Sequence, residues 1–166
     1  MILEKIELKA EEVLKETGIK ATPTPIEDLA YKLNIKISKA PSTDFSGLLI
    51  RKDGHALIGI NSSEAPVRQR FSIAHELGHF FLHQQQDAFV DFRKEAKKGE
   101  VRSPRERQAD MFAAALLMPR QSLLKDFKRI AKEGMGEDTV ETLAKQYDVS
   151  EEAMRYRLIN LSSVMS

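Results

Sequence analysis

The stretch Phe71-Ser72-Ile73-Ala74-His75-Glu76-Leu77-Gly78-His79-Phe80-Phe81-Leu82-His83 decides how this chain is read. Its apolar residues recur at helical spacing. With Val67 they give a wide face of Phe71, Ile73, Ala74, Leu77 and Phe81, so the segment is a core helix rather than a solvated one. His75 and His79 are four residues apart and leave that helix on one side. Two neutral imidazoles at this spacing make half of a tetrahedral zinc site. Glu76, beside the first of them, stands where a general base meets the hydrolytic water. The competing interpretation is a core helix whose histidines simply face a polar groove. Gly78 costs about 1 kcal/mol in a helix interior, which points to another backbone passing close by.

Composition narrows the classes. A chain of 166 residues suits one domain, or one with a small appendage. Its 26 basic and 25 acidic residues leave a net charge of +1, without the bulk positive field of a nucleic-acid binder. The absence of cysteine removes disulfides, thiolate nucleophiles and cysteine-type zinc sites, and fits a reducing cytoplasm. Met1 to Glu7 alternates apolar and charged residues, unlike a secretory signal. The longest apolar run, Met111 to Met118, is too short to span a bilayer. The expectation is a soluble, cytoplasmic protein with no membrane partner.

Upstream of the motif, residues 2–16 read as an amphipathic helix with the stripe Ile2, Ile6, Ala10, Val13, Leu14, ended by Gly18. Thr24-Pro25-Ile26-Glu27 reads as a capping box opening a short helix that Asn34 stops. Strands are expected at Ile35 to Ser38, Phe45 to Arg51 and Ala56 to Asn61. The last two flank Lys52-Asp53-Gly54-His55, a hairpin turn with His55 at the surface. These strands make a small antiparallel sheet whose free edge can take an extended peptide. Ser62-Ser63-Glu64-Ala65-Pro66 starts the metal helix with serine caps and an early proline. Arg68 and Arg70 either bind substrate or fix an acidic neighbour, the latter being the expectation. Gln84 to Arg102 is polar apart from Ala88-Phe89-Val90-Asp91-Phe92, and reads as a lid, a substrate-lining loop or a disordered connection.

A metallopeptidase site needs a third protein ligand. A further histidine in the pattern H-E-x-x-H-x-x-G-x-x-H is ruled out, because Leu82 and Gln85 occupy those positions. The helix bounded by Pro104 and Pro119 carries Glu106 and Asp110 on one face at i, i+4. One carboxylate suits the metal and the other a ligand histidine. Ser103-x-x-Glu106 is also a capping box, and a glutamate folded back onto its helix start cannot hold zinc. Asp91 and Glu100 are weaker alternatives. His83 lies about 80° round the helix from His75 and is a candidate for substrate or oxyanion contact, or a structural histidine. Tyr31, Tyr147 and the arginines are further candidates for the second electrophile.

Arg-Phe-Ser-Ile-Ala-His-Glu-Leu-Gly-His-Phe-Phe-Leu-His, followed by Glu-Arg-Gln-Ala-Asp-Met-Phe-Ala-Ala-Ala-Leu-Leu-Met-Pro, resembles the ImmA/IrrE family of metallopeptidases. The resemblance runs more weakly from Pro-Ile-Glu-Asp-Leu-Ala to the C-terminal helices. It implies an α+β, mainly helical fold with a zincin-like, thermolysin-like core and an about three-stranded antiparallel sheet. It implies Zn2+ (Mn2+ being accepted by the same donors) on His75, His79 and Glu106, with Glu76 as base and Asp110 in support. It also implies a protein substrate, a helix-turn-helix repressor of the Xre type, whose cleavage releases phage, mobile-element or stress genes. Stress-response members carry an extra C-terminal sensor domain. With 166 residues, the expectation from this resemblance is the compact mobile-element type.

Residues 1–119 are expected to form the metallopeptidase domain, and 120–166 a helical region packed on it. Within the latter, Asp138-Thr139-Val140-Glu141 opens one helix, Asp148-Val149-Ser150 is a turn, and a second helix carries Ala153, Met154, Leu158 and Leu161. The pair resembles a helix-turn-helix, so the alternative function is a non-catalytic DNA- or repressor-binding module. Glu151 and Glu152 at the start of the would-be recognition helix repel phosphate, which favours packing or substrate docking over direct DNA contact.

Overall fold

The first amphipathic stripe folds into α1 (Ile2–Thr17), which buries Ile6, Ala10, Val13 and Leu14 and ends at Gly18; Ile2, expected in the stripe, is exposed at the helix start. The computed structural model describes residues 2–92, 102–134, 136 and 138–165. In α2 (Ile26–Lys32) the expected capping box is not made. Pro25 caps without a side-chain bond, and the Thr24 hydroxyl donates to the Leu116 carbonyl at 2.8 Å. Thr24 is buried beside the end of a later helix whose last carbonyls lack partners within it, and that demand outweighs the local cap. Asn34, in the left-handed region, stops α2.

The sheet corrects the sequence expectation. It has four strands and is mixed: β1 (Ile35–Ala40), β2 (Phe45–Lys52), β3 (His55–Asn61) and β4 (Ala88–Phe92), in the order β1-β3-β2-β4. The β2–β3 hairpin is the tight unit, with Lys52 opposite His55 and positive φ at Asp53 and Gly54. β1 is displaced to the far edge of β3 and runs parallel to it. Buried Asn61 holds that crossing, accepting from the Ser42 amide at 3.0 Å and donating to the Ser42 carbonyl at 2.9 Å. β1 and β2, adjacent in sequence, therefore do not pair, which periodicity alone does not reveal. β4 falls inside the segment expected to be a lid or loop. Five residues carry little signal, and β4 exists because β2 offers an edge and Phe89 a side chain to bury. Residues 93–101 of that segment lie outside the described residues.

The motif helix is α3 (Pro66–Leu82). Pro66 stands at its first turn, but the serine caps are absent: Ala65 precedes the helix uncapped, and Ser63 turns back to Asn61. At its other end Arg51 of β2 donates to the carbonyls of Phe80 at 2.8 Å and His83 at 2.5 Å. α4 (Pro104–Leu117) is capped by the Ser103 hydroxyl, which accepts from the Glu106 amide at 3.2 Å. α3 and α4 meet at the glycine that the sequence singled out. A Cβ on Gly78 would lie 2.9 Å from Ala109 Cα and 3.0 Å from Ala109 O.

Three helices follow: α5 (Arg120–Lys132), α6 (Asp138–Tyr147) and α7 (Glu151–Met165). Leu143, Tyr147 and Met154 join the core that also contains Leu116, Leu117 and Met118. Arg157 of α7, buried, pairs with buried Glu7 of α1 and donates to the Met118 carbonyl at 3.0 Å, so the first and last helices are tied across α4. The other side of the core is the inner face of the sheet, with Leu49, Ile58 and Ile60. The fold is α+β and mainly helical. Among the described residues no helix is long and apolar enough to cross a membrane.

Candidate metal centre and active site

The apolar face of α3 packs inward along its whole middle, so His75, Glu76 and His79 are carried into the interior and are at most 2% exposed. The close Gly78–Ala109 crossing then brings the first turns of α4 over the two rings. Glu106 Oε2 lies 3.0 Å from His75 Nε2, and Glu106 Oε1 lies 3.0 Å from His79 Nε2. One ligand atom from each residue falls within 4.8 Å of the others. The ambiguity of Glu106 is resolved by its geometry: its amide takes the cap from Ser103 while its carboxylate turns to the histidines. Of the weaker alternatives, Asp91 falls on β4 and Glu100 lies outside the described residues.

Each ring has a partner on its far nitrogen. His75 Nδ1 is 2.8 Å from Asp110 Oδ1. Arg102 Nε lies 3.0 Å from Asp110 Oδ2, and its Nη2 lies 3.3 Å from Glu106 Oε2. His79 Nδ1 is 2.8 Å from His83 Nδ1, and His83 Nε2 is 2.9 Å from Gln108 Oε1. With a metal on both Nε2 atoms, the protons would be set: His75 would donate from Nδ1 to Asp110, and His79 from Nδ1 to His83. His83 would then keep its proton on Nε2 for Gln108. The His79 ring also stacks on Phe89 of β4, 4.1 Å between centroids and 10° between planes.

The electrostatics favour a cation. Burial works against a charged His75, but hydrogen bonding to Asp110 and the nearness of Glu106 override it and raise the ring to about 10. Burial lowers His79. The two rings hold the Glu106 carboxyl well below the usual carboxylate range. His75 Nε2 is buried and, though 3.0 Å from a carboxylate oxygen, is not aligned to hydrogen-bond it. A divalent cation held among His75, His79 and Glu106 would supply the positive charge there with both rings neutral. The donor set fits a metal ion.

Glu76 is fully buried beside this point. Gly47 of β2 leaves room for it, since a Cβ there would lie 3.3 Å from Glu76 Oε1 and 3.4 Å from its Cγ. Among the residues considered for a second electrophile, Tyr147 is buried and donates to Asp126 at 2.6 Å. Tyr31 is 82% exposed on α2. Both nitrogens of His83 are engaged, leaving neither for a substrate. Arg70 donates to the carbonyls of Thr24 and Asp148, the structural role expected of it. Arg102 is the cation in contact with the site carboxylates. Sequence reasoning included Arg102 only among the arginines at large, and it gave Gln108, Phe89 and Gly47 no role in the site. None carries a local pattern, and only the Glu-Arg-Gln context of Gln108 stands near a motif residue.

A buried H-E-x-x-H helix crossed by a helix bearing a glutamate is the donor arrangement of a metallopeptidase with two histidine ligands and one glutamate. The sequence profile of the IrrE N-terminal-like domain of M78 peptidases matches residues 30–159, and the chain belongs to this family. It is 32% identical over 110 residues to the radiation response metalloprotease IrrE of Deinococcus radiodurans, an alignment covering 66% of this chain and 33% of that protein. It is 35% identical over 104 residues to the protein of the same description in Deinococcus deserti, covering 63% and 36%. The chain thus matches about a third of the length of each of these curated relatives. A Mycobacterium tuberculosis transcriptional regulator shares the fold, with a TM-score of 0.65 and 16% identity, over 93% of this chain and 46% of that one.

Proposed function

We propose that this chain is a zinc-dependent endopeptidase acting on a protein, with His75, His79 and Glu106 as metal ligands and Glu76 as general base. The observation that carries the proposal is the convergence of those three ligand atoms within 4.8 Å, next to a fully buried glutamate. A zinc ion held there would polarise the scissile carbonyl and make water nucleophilic at neutral pH. Glu76 accepts the proton of the attacking water and returns it to the leaving amine. Asp110 and His83 fix the orientation of His75 and His79, and Arg102 fixes Asp110. β4, at the edge of the sheet and beside His79, is placed to pair with an extended peptide.

The substrate we infer is a helix-turn-helix repressor of the Xre type, cleaved in the cytoplasm so that repression is relieved. This reading rests on what the resemblance of the motif residues implies. We further propose that residues 1–119 are the catalytic unit and 120–166 a helical region serving it. The acidic first turn of α7, Glu151 and Glu152, speaks against direct DNA contact by that region. The test is zinc content by elemental mass spectrometry on the wild type and on Glu106→Gln. Near-stoichiometric zinc that the variant loses supports the three-ligand site, and co-expression with Xre-type repressors, read as fragments by intact mass, then tests the substrate. A wild type that takes up no metal after zinc is supplied sinks the proposal.

A further inference from the structure

A groove of about 620 Å3 begins at His75 and Asp110 and runs between α3, α4 and α7. Its walls are half-buried apolar side chains from all three helices: Val67, Phe71, Met111, Ala114 and Ala153. Tyr156 stands at its outer end, 61% exposed. Ser72, Ser150 and Asn160 add uncharged polar side chains to the lining. Ser72 is 2% exposed and one turn before His75, and its hydroxyl has no hydrogen-bond partner among the described residues.

The charge on the rim selects the occupant. Arg102 and Asp110 are paired with each other, which leaves Arg68 and Arg107 along it against the single acid Glu152. Arg157, at the floor, is neutralised by Glu7. Arg68 is half exposed and only 3.9 Å from Glu64, a loose pair, and Arg107 is exposed with no ion pair among the described residues. Exposed, loosely held guanidinium groups beside an apolar trough suit carboxylates that flank apolar side chains.

We propose that this groove is the substrate-docking subsite, and that it takes a segment of the protein substrate in which large apolar residues alternate with Asp or Glu. The inference rests on the peptidase reading for its link to cleavage, but not for its binding chemistry. It also assigns work to α7: the C-terminal helix forms a wall of this groove, which reaches the candidate site at His75.

The experiment uses the full chain carrying Glu76→Gln, loaded with zinc, so that binding is read without cleavage. The probes are two fluorescein-labelled peptides of equal length, one alternating Leu with Glu and one alternating Leu with Lys, followed by fluorescence anisotropy. The Leu–Glu peptide should bind at least tenfold tighter than the Leu–Lys peptide and weaken with salt. Adding Arg68→Glu and Arg107→Glu should invert that preference at unchanged zinc content, a gain that a misfolded protein cannot produce. Ala153→Arg, which fills the trough while keeping the rim positive, should weaken both. Equal binding of the two peptides, no binding of either, or a preference that the double reversal leaves unchanged overturns the proposal. Treating both peptides with the unsubstituted protein separates the two readings. Selective binding without cleavage removes the peptidase and keeps the groove, whereas cleavage without charge selectivity does the reverse.

Discussion

Gly78→Ala opposes local helix propensity to tertiary packing, and the structure gives the sign. In an exposed helix the substitution would stabilise by about 1 kcal/mol, because alanine loses less backbone freedom. Here the new Cβ would sit 2.9 Å from Ala109 Cα, 3.0 Å from its carbonyl oxygen and 3.3 Å from its Cβ. Carbon atoms rest at about 3.5 Å or more, so α4 must withdraw by roughly 0.6 Å. The obstructing atoms are mostly backbone, and no rotamer change relieves them. Overpacking of this kind costs about 1–3 kcal/mol, leaving a net loss near 1 kcal/mol and a Tm lower by about 2–4 °C in the zinc-free protein. Glu106 is on the withdrawn helix, three residues from the contact. Metal–ligand distances tolerate about 0.2 Å, so zinc affinity should fall by about tenfold or more. Thermal melts of zinc-free protein and competition against a chromophoric chelator measure the two effects. A zinc-free variant that melts at or above the wild type, with unaltered zinc affinity, would refute the reasoning: α4 would not be seated on residue 78.

Glu76→Gln should keep zinc and lower peptide cleavage by a factor of about 10²–10⁴, the range for loss of a general base; wild-type turnover would remove Glu76 from that role. Gln108→Leu deprives His83 of its acceptor and, through it, loosens His79, so chelator competition should show zinc binding about tenfold weaker with little change in Tm. Because His75 must shed a proton held to about 10 before it binds metal, apparent zinc affinity should climb about tenfold per pH unit between 7 and 9. In the zinc-free protein the same raised value contributes stability that is full below the unfolded pKa of about 6.5 and lost as pH rises through 10. Glu106, depressed, contributes above its unfolded value and loses that contribution as pH falls. Urea midpoints across pH show both. Arg157→Ala strands the Glu7 carboxylate in the core and should cost about 3–5 kcal/mol, with Glu7→Leu in the same chain restoring part of it.

What the sequence by itself determined is what repeats within a few residues. The period of α3 made it a core helix, the i, i+4 step put His75 and His79 on one side of it, and Asp53-Gly54 marked the β2–β3 turn. Gly78 announced a close crossing without naming the partner. The local pattern Ser103-x-x-Glu106 supported two incompatible fates for one carboxylate. Only the seating of α4 on Gly78 showed that the amide takes the cap and the side chain takes the histidines. Tertiary structure alone decided the rest: Thr24 leaving its own helix for Leu116, β1 crossing to the far edge of β3 under Asn61, β4 formed on β2, and His83 turned to His79 and Gln108. The physical reason is common to all of these. Periodicity and caps are set by neighbours along the chain. Which distant groups a buried hydroxyl, amide or strand edge must satisfy is set by what folding brings beside it.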